Sequence, residues 1–553
     1  MTKMFFSFFL ALFYSIAYIV IGPMIAPQDV KFDSSRLFPF ILCFLLCSVV
    51  NYFIFSVIPQ LHLRIKNERI SQHLDRVGDC KLFLITWAFI FVSWIPAYLI
   101  FYPGVLSYDI RSQVSSALGT IVNNHHPVLH TWLIRFFMKL GYALLSDYEF
   151  GLGLLSLLQM LLLSYALTRL VFLLRKKKVP VLIVILTALL SAIWFMNACL
   201  SVTMVKDTLH AAFLVLFACH FTEIVTDLPA YSLRKQNLFI LPVISFLMCA
   251  LRNNGIHIYI FCFAVLFILR IPRIKKAKAY IALTVAILLP VLMYKIYTGP
   301  VFDALGIAPT EIREAFSIPI QQLQRVAFAE ADELTSEQAE LITYYITDLK
   351  WMDPPPERYN PYFADPAKGC FVTVHYNDDP TAFWKLYLQI GKQFPKVYVS
   401  AFLSNTLGYW YPGYYEFSYV PYEDFPPEMF VVPLERKSIW NSQVLKKYYE
   451  CVCGSDFWRA TPVLRLFFIP GFALWLLLYA LALAWKKRGF FTKVLPLFLP
   501  LIAQFGIMLL SPMSSFRYSW PFYLMLPLAF IGIWGDWEPG MPDDERIDKH
   551  VSR

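Results

Sequence analysis

Long apolar runs of about 20 residues recur along nearly the whole chain, and short polar segments separate them. A helix of about 20 apolar residues is long enough to cross a hydrocarbon core of roughly 30 Å. The pattern therefore predicts an all-α polytopic membrane protein. Twelve transmembrane helices are predicted, at residues 4–25, 36–59, 81–102, 150–174, 179–198, 204–225, 237–253, 255–270, 279–298, 461–485, 492–511 and 517–535.

The basic residues gather in alternate connections between these runs, and this predicts how the protein is oriented. Short cytoplasmic loops of membrane proteins carry an excess of Lys and Arg. With a cytoplasmic N-terminus, the basic clusters all fall on the cytoplasmic side, namely Lys3, 64–81, 175–178, 234–235, 271–278 and 486–488. We expect a multi-pass protein of the cell membrane whose first span is retained as an anchor.

One apolar stretch, residues 127–146, must lie along the outer face in this arrangement, because a further span would move the next basic cluster outside. Arg135 interrupts this stretch, and Pro127 suits the first turn of a helix. Residues 108–119 predict a shorter amphipathic helix beside it. The external loop 103–149 is therefore predicted to hold two interfacial helices.

The long polar insertion at 299–460 predicts a small α-rich extracytoplasmic cap, with helices near 330–350 and 380–405. It contains 21 acidic and 13 basic residues, a net charge of −8. The other predicted parts are two N-terminal helices with a cytoplasmic loop at 1–80, a transmembrane core at 81–298, C-terminal transmembrane helices at 461–535 and a cytoplasmic tail at 536–553.

The composition supports the membrane assignment and indicates which kinds of partner the protein has. The chain is 58% hydrophobic and 16% charged, whereas soluble domains have about 45–50% apolar and about 25% charged residues. The whole chain carries +10 and the cap −8, so the remainder carries +18. This charge predicts contact with anionic membrane lipids and no nucleic-acid partner. A disulfide from Cys370 to Cys451 or Cys453 remains open.

Unusual polar residues from four separated segments are expected together at the outer membrane face. Charged groups at or within a membrane are costly to place and point to function. These polar residues together predict one external cavity with an acid on one wall and cations opposite. The candidates are Asp109, His125, His126, Lys206, Arg252, Asn253, Arg517 and Tyr518. Gln321 and Arg325, just after the ninth span, are expected at the entry to the cap.

Each of these residues has a plainer interpretation. The side chains of Arg517 and Lys206 could simply extend to the lipid headgroups. Asp207 could simply pair with its neighbour Lys206. The RNNG segment at 252–255 suits a helix end followed by glycine. Asp109 suits the start of a helix, where the helix dipole favours a negative charge.

Six motifs, taken in order, resemble those of the GT-C glycosyltransferases. They are YPGVLSYD (102–109), NHHPVLHT (124–131), VKD (205–207), RNNG (252–255), IPIQQLQR (318–325) and SSFRYSWPF (514–522). The resemblance covers about residues 80–535, and the chain looks like a bacterial branch of that superfamily. Many GT-C members carry an acidic pair in the first external loop, whereas Asp109 stands alone before the histidines. This departure counts against a metal site of the family's kind, and a divalent cation, Mg²⁺ or Mn²⁺, remains open as a cofactor.

The resemblance implies transfer of a sugar from a polyprenyl-phosphate donor to an acceptor outside the cell, either an envelope polysaccharide, a glycolipid or a protein. Asp109 would act as the base and His126 would orient the acceptor or Asp109, with His125 as a secondary candidate. Lys206, Arg252 and Arg517 would bind the phosphate. Two alternatives remain open: a transporter or flippase of a lipid-linked or envelope precursor, and an enzyme like the O-antigen ligases, which use Arg and His without a catalytic Asp.

Overall fold

The computed structural model describes most of the chain, with several gaps. It describes residues 2–26, 31, 33–65, 68–270, 277–347, 359–414, 426–453, 460–461 and 469–535. The predicted cytoplasmic tail at 536–553 and most of the basic segment 271–278 lie outside the described residues, as does the start of the predicted span 461–485.

The regular elements are helices, and the described residues contain no β-strand. The helices up to the cap are α1 (Thr2–Ser15), α2 (Leu37–Ile65), α3 (Glu68–Val77), α4 (Asp79–Phe101), α5 (Ile110–Leu118), α6 (Val128–Leu145), α7 (Tyr148–Lys176), α8 (Val181–Ile193), α9 (Phe195–Ser201), α10 (Lys206–Thr226), α11 (Leu228–Leu233), α12 (Lys235–Leu251), α13 (Gly255–Arg270) and α14 (Ala277–Ile296). The cap contains α15 (Ser317–Ala329), α16 (Ser336–Tyr345), α17 (Asp365–Gly369), α18 (Thr373–Asp378), α19 (Pro380–Gln393), α20 (Pro395–Asn405) and α21 (Gln443–Cys453). The C-terminal helices are α22 (Ala473–Ala484), α23 (Leu499–Leu509), α24 (Phe516–Met525) and α25 (Ala529–Trp534).

Eight segments of the described chain are long and apolar enough to cross a membrane, or nine if α8 and α9, which meet at an angle of 50°, form one span. The protein is therefore an all-α, multi-pass membrane protein. The eight segments are Thr2–Ile25, Ser34–Gln60, Asp79–Phe101, Val128–Leu145, Tyr148–Lys176, Lys206–Thr226, Leu283–Ala304 and Phe490–Leu509. Shorter apolar helices at Lys235–Leu251, Gly255–Leu269 and Pro470–Ala484 coincide with further predicted spans, so the total of twelve stays a prediction.

The two helices predicted for the first external loop are both present as α5 and α6. Arg135 explains the polar interruption of α6: its guanidinium donates to Ala117 O over 2.6 Å and to Gly119 O over 2.7 Å. It thereby satisfies carbonyl groups at the end of α5, which a helix leaves unpaired. By length and apolar character α6 would also serve as a span, so its interfacial position stays a prediction.

The centre of the bundle is α10, which is buried along almost its whole length. A helix that is apolar on all sides is typical of such a central position. It packs against α7, α12 and α24. At its C-terminal end Glu223 pairs with Lys176 of α7 at 3.1 Å. The basic cluster 175–178 and the loop 103–149 therefore lie at opposite ends of the same helices.

The cap has a core of its own, in which Phe316, Ile320 and Phe383 are buried. The helices predicted near 330–350 and 380–405 are confirmed as α16 and the pair α19–α20, which Pro395 divides. No disulfide forms among the ten cysteines, all of which lie in the described chain.

Candidate active site

The loop 103–149 is held against the segment that precedes α10. The N–H of Val105 donates to Val202 O over 3.0 Å. Gly104 has a φ of +152°, and a Cβ there would come within 2.7 Å of the same carbonyl oxygen, so this backbone approach requires glycine. As a consequence, Asp109 in the loop meets Lys206, the first residue of α10.

Asp109 lies directly before α5, and its carboxylate faces cations instead of capping the helix. Lys206 Nζ is 2.9 Å from Asp109 Oδ2, and Arg517 Nη1 is 3.7 Å from the same oxygen. The carboxylate accepts no hydrogen bond from the first turn of α5. The interpretation of Asp109 as only a helix-end charge therefore has no support from its contacts.

Two opposing effects act on the pKa of Asp109. Burial raises it, because a carboxylate loses hydration, whereas Lys206, Arg517 and His126 lower it. The cations prevail and hold the pKa of Asp109 well below its usual range. Asp109 is therefore ionised at neutral pH.

His126 lies within the same group of contacts. Lys206 Nζ is 3.4 Å from His126 Nδ1, and His126 Nε2 is 2.7 Å from Ser112 Oγ. Burial, with help from Lys206, lowers the pKa of His126 to about 3, so the ring is neutral at pH 7. Because an ammonium group only donates, Nδ1 accepts from Lys206 and Nε2 donates to Ser112. The His126 ring makes no direct hydrogen bond to the Asp109 carboxylate, and Lys206 and Ser112 connect the two residues.

A second carboxylate, Asp207, holds two arginines from distant parts of the chain. Its side chain is only 1% exposed and pairs with Arg252 and, at 3.5 Å, with Arg517 Nε. The suggested pair between Asp207 and Lys206 is not formed, since neighbouring helical residues point about 100° apart. We call Asp109, His126, Lys206, Asp207, Arg252 and Arg517 the Asp109 cluster.

Two tyrosine rings enclose the guanidinium groups of the cluster. Arg517 Cζ lies 4.3 Å from the ring centre of Tyr108 and 4.8 Å from that of Tyr518. Arg252 Cζ lies 4.9 Å from the Tyr518 ring. Such cation–π contacts favour one position for each guanidinium group. Tyr108 has a φ of 57°, which is uncommon for a residue other than glycine.

The asparagine and the outer histidine of the predicted site lie at its edge. Asn253 Oδ1 accepts from Asn124 Nδ2 over 3.2 Å, and Asn253 Nδ2 donates to Asn124 O over 3.1 Å. This pair joins the turn between α12 and α13 to the segment that contains His125 and His126. His125 is exposed, and its Nδ1 is 3.9 Å from Glu314 of the cap.

The two cap residues of the predicted site lie apart from the Asp109 cluster. Gln321 Nε2 donates to Asn360 O over 2.8 Å, and Arg325 donates to Ser400 Oγ over 3.2 Å. Both side chains thus join segments of the cap to one another. None of their contacts within the described residues reaches the cluster.

Comparison with known proteins identifies the family of the chain. Residues 116–543 match the model of a family of unknown function, DUF6020. The chain belongs to the DUF6020 family. No curated protein and no solved structure matches the chain. The matched range includes His126, Lys206, Arg252 and Arg517 of the cluster and begins seven residues after Asp109.

Three contact residues of this DUF6020 protein were not among the predicted site residues: Tyr108, Ser112 and Asp207. Ser112 lies three residues after Asp109, so helical spacing alone could have placed it on the same side. Asp207 follows Lys206 at the start of a predicted span, and a carboxylate in that position already required a partner. Tyr108 has no comparable signal, because its contact depends on the turn of the loop.

The side chains of the DUF6020 site do not fit a divalent cation. Within the described chain, no group of three or more His, Cys, Asp or Glu side chains comes together in a way that could hold a metal ion. Asp109 and Asp207 instead face Lys206, Arg252 and Arg517. The positive charges of these side chains would repel a metal cation. We therefore derive no step through a metal ion.

The arrangement is suited to an anion beside a carboxylate. Three cations and two carboxylates leave the Asp109 cluster with a net positive charge. Arg517 is 8% exposed, and its Nε and Nη1 are buried without a hydrogen bond. Both atoms lie within ion-pair distance of a carboxylate of Asp109 or Asp207, but buried donors that lack a hydrogen bond are costly. An anionic oxygen that entered the cluster would provide the missing acceptors.

Proposed function

We propose that this protein is a GT-C-type membrane glycosyltransferase that moves a sugar from a polyprenyl-phosphate donor to an acceptor on the extracytoplasmic face. The observation that carries the proposal is Arg517, which is buried, has two N–H groups without hydrogen bonds and lies 3.7 Å from Asp109. A phosphate binder and a carboxylate within one small site are what glycosyl transfer from a phosphate needs.

The phosphate of the donor is the leaving group, and its charge grows as the bond to the sugar breaks. Lys206, Arg252 and Arg517 converge where that charge would develop. Fixed donors in a partly buried site stabilise such a charge more strongly than water does, because they need no reorganisation during the reaction. Arginine also offers two parallel N–H groups to phosphate oxygens.

Asp109 is the proposed base. It takes the proton of the acceptor hydroxyl while that oxygen attacks the anomeric carbon, and the electrons of the breaking carbon–oxygen bond leave with the phosphate. The low pKa of Asp109 would weaken its basicity in the absence of donor. A bound phosphate competes for Lys206 and Arg517, so the pKa of Asp109 rises when the donor is in place.

His126 has a positioning role in this scheme. As a neutral ring it accepts from Lys206 and donates to Ser112, and the Ser112 hydroxyl in turn donates to Asp109 O over 2.9 Å. The ring thereby fixes Lys206 between Asp109 and the expected phosphate. Tyr518 has a similar positioning role for Arg517. Arg517 Nη2 donates to the Tyr518 hydroxyl over 2.7 Å.

The charge pattern supports an orientation for the protein. The basic end of the bundle, with residues 175–178, is proposed to be cytoplasmic, together with the N-terminus. The Asp109 cluster and the cap are then extracytoplasmic, where no nucleotide sugars are expected and a lipid-linked donor is required. The acceptor is an envelope glycan, a glycolipid or a protein.

Cysteine labelling tests this orientation. Lys235→Cys at the basic end and Asp303→Cys near the cap are both exposed positions, and each is introduced after replacement of the exposed Cys80 and Cys451. A reagent that cannot cross the membrane should label intact cells at position 303 and not at position 235. The opposite pattern would refute an extracytoplasmic site.

The activity is tested by mass spectrometry of envelope glycans and glycolipids in cells with the protein, without it, and with Asp109→Asn. We expect one sugar to be missing in the last two. A product that persists with Asp109→Asn but disappears without the protein would favour the ligase-like alternative. Sugar transfer from polyprenyl-phosphate hexoses by the purified protein separates an enzyme from a transporter, which would transfer none.

A further inference from the structure

A large cavity lies at the end of the bundle opposite the Asp109 cluster. It has a volume of about 900 Å³ and is formed between α3, α4, α7, α8 and α10. Ligand sites for small molecules in proteins have volumes of about 300–1,000 Å³. We call this cavity the distal pocket.

Cations outnumber carboxylates in the wall of the distal pocket. The five cations are Arg169, Arg175, Lys176, Lys178 and Arg234, and the three carboxylates are Asp75, Asp79 and Glu223. Arg175 pairs with Asp75 at 2.6 Å and also with Asp79. Glu223 pairs with Lys176 at 3.1 Å and lies 4.0 Å from Arg169. All three carboxylates are thus already paired.

Arg234 takes no part in these ion pairs. It is exposed, and its side chain forms no ion pair with the described residues. It lies in the short turn between α11 and α12. An exposed arginine in such a turn could also serve only to keep the protein soluble. Its place in the wall of a large cavity, together with the net charge of +2 there, favours an anionic ligand.

The distal pocket also has an apolar lining. Phe172 of α7, together with Val181 and Val184 of α8, lines the cavity alongside the charged side chains. A ligand with a charged head and a hydrocarbon portion would therefore satisfy both parts of the surface. A purely hydrophilic anion would leave the apolar lining in water, which costs free energy in proportion to its area.

The position along α10 gives the pocket its depth in the membrane. Lys206 in the Asp109 cluster and Glu223 in the distal pocket are 17 residues apart on this helix, which corresponds to roughly 25 Å at 1.5 Å per residue. This distance is close to the thickness of the hydrocarbon core, about 30 Å. An Asp109 cluster at one membrane surface would therefore put the pocket at the level of lipid headgroups in the opposite leaflet.

We propose that the distal pocket binds a phosphate-bearing group, with an anionic phospholipid as the ligand whose chain contacts the apolar lining. Basic pockets between membrane helices bind lipid phosphates in this way. The site is separate from the Asp109 cluster, and the proposal does not depend on the proposed sugar transfer.

Binding to the purified full-length protein in neutral detergent tests the proposal. The probes are dihexanoyl phosphatidic acid, dihexanoyl phosphatidylcholine and inorganic phosphate, each added below the concentration at which it forms micelles. We expect the phosphatidic acid to bind more tightly than the other two. Arg234→Gln should weaken it about tenfold, since hydrogen bonds to charged groups contribute at this level.

Lys235→Gln is the matched control, because Lys235 is the exposed neighbour of Arg234 and does not line the pocket. Equal losses in the two variants, or equal binding of the phosphatidic acid and the phosphatidylcholine, would overturn the proposal. Inorganic phosphate that binds as tightly as the phosphatidic acid, and loses affinity with Arg234→Gln alone, would retain the phosphate site and refute the lipid as its ligand.

Discussion

The two ends of α10 carry similar residues in different surroundings. At the Asp109 cluster, Arg517 and Asp207 have side-chain exposures of 9% and 1%. At the distal pocket, Arg175 and Asp75 have exposures of 22% and 60%. Both ends pair arginine with aspartate, yet only the first pair is shielded from water.

This difference determines what each end can do. Exposed ion pairs contribute about 0–1 kcal/mol, because water screens them and the side chains lose freedom. Buried charges depend on their partners, and they exert strong effects on whatever enters the site. The Asp109 cluster is therefore suited to chemistry on an anion, whereas the distal pocket is suited to holding one.

The largest expected effect is on stability and follows from Asp207. Asp207→Asn leaves Arg252 and Arg517 buried without their countercharge, which should cost about 3–5 kcal/mol. Asp75→Asn at the exposed end should cost less than about 1 kcal/mol. Thermal unfolding of the two purified variants measures the contrast. Equal losses would mean that burial does not distinguish the two ends.

The second effect is on sugar transfer. Asp109→Asn keeps the size of the side chain but removes its basicity, so transfer should fall about 100-fold or more while the protein still folds. Asp109→Glu should recover little, because an added methylene displaces the oxygen by about 1 Å. Asp303→Asn, at an exposed position, should keep full activity. A normal rate of transfer in the purified Asp109→Asn variant would refute the role of Asp109 as base.

A smaller effect is expected from Arg517→Lys. Lysine keeps the charge but loses the planar group that contacts Tyr108 and Tyr518, so the exchange is not conservative. Donor binding and turnover should both fall about tenfold, as measured by titration with polyprenyl phosphate and by initial rates. Arg313→Lys in the cap should change neither. Unchanged turnover in Arg517→Lys and in Arg252→Ala would mean that the phosphate binds elsewhere.

The smallest effect concerns pH and His126. Its pKa is about 3 in the folded protein and about 6.5 in an unfolded chain. Between these values only the unfolded chain takes up the proton, so stability is full above about pH 6.5 and falls as the pH is lowered. His126→Gln should reduce the loss of stability between pH 7 and pH 5 by on the order of 1 kcal/mol. An equal loss of stability between pH 7 and pH 5 in the unmodified protein and in His126→Gln would contradict the role of His126.

The contacts of Asp109, Lys206, Arg252 and Arg517 could be anticipated from the sequence. Apolar runs predict helices that cross the membrane, and the basic clusters predict which ends share a face. Four polar segments at one face of a compact bundle have little room to avoid one another. The helices near 330–350 and 380–405 followed in the same way from local patterns, whereas the division of the second region at Pro395 was seen only in the structure.

The choice of partners within that face was decided by the tertiary structure. Asp207 pairs with Arg252 and Arg517 and not with Lys206, because helix rotation and the path of distant segments determine which charges meet. Gln321 and Arg325 bind within the cap for the same reason. The distal pocket depends on the gap left between five helices. The sequence by itself determined the helices and the face on which the charges gather, since those depend on local apolar and charge patterns. The pairing of those charges, their burial and the empty space between helices depend on distances across the fold, which no local pattern contains.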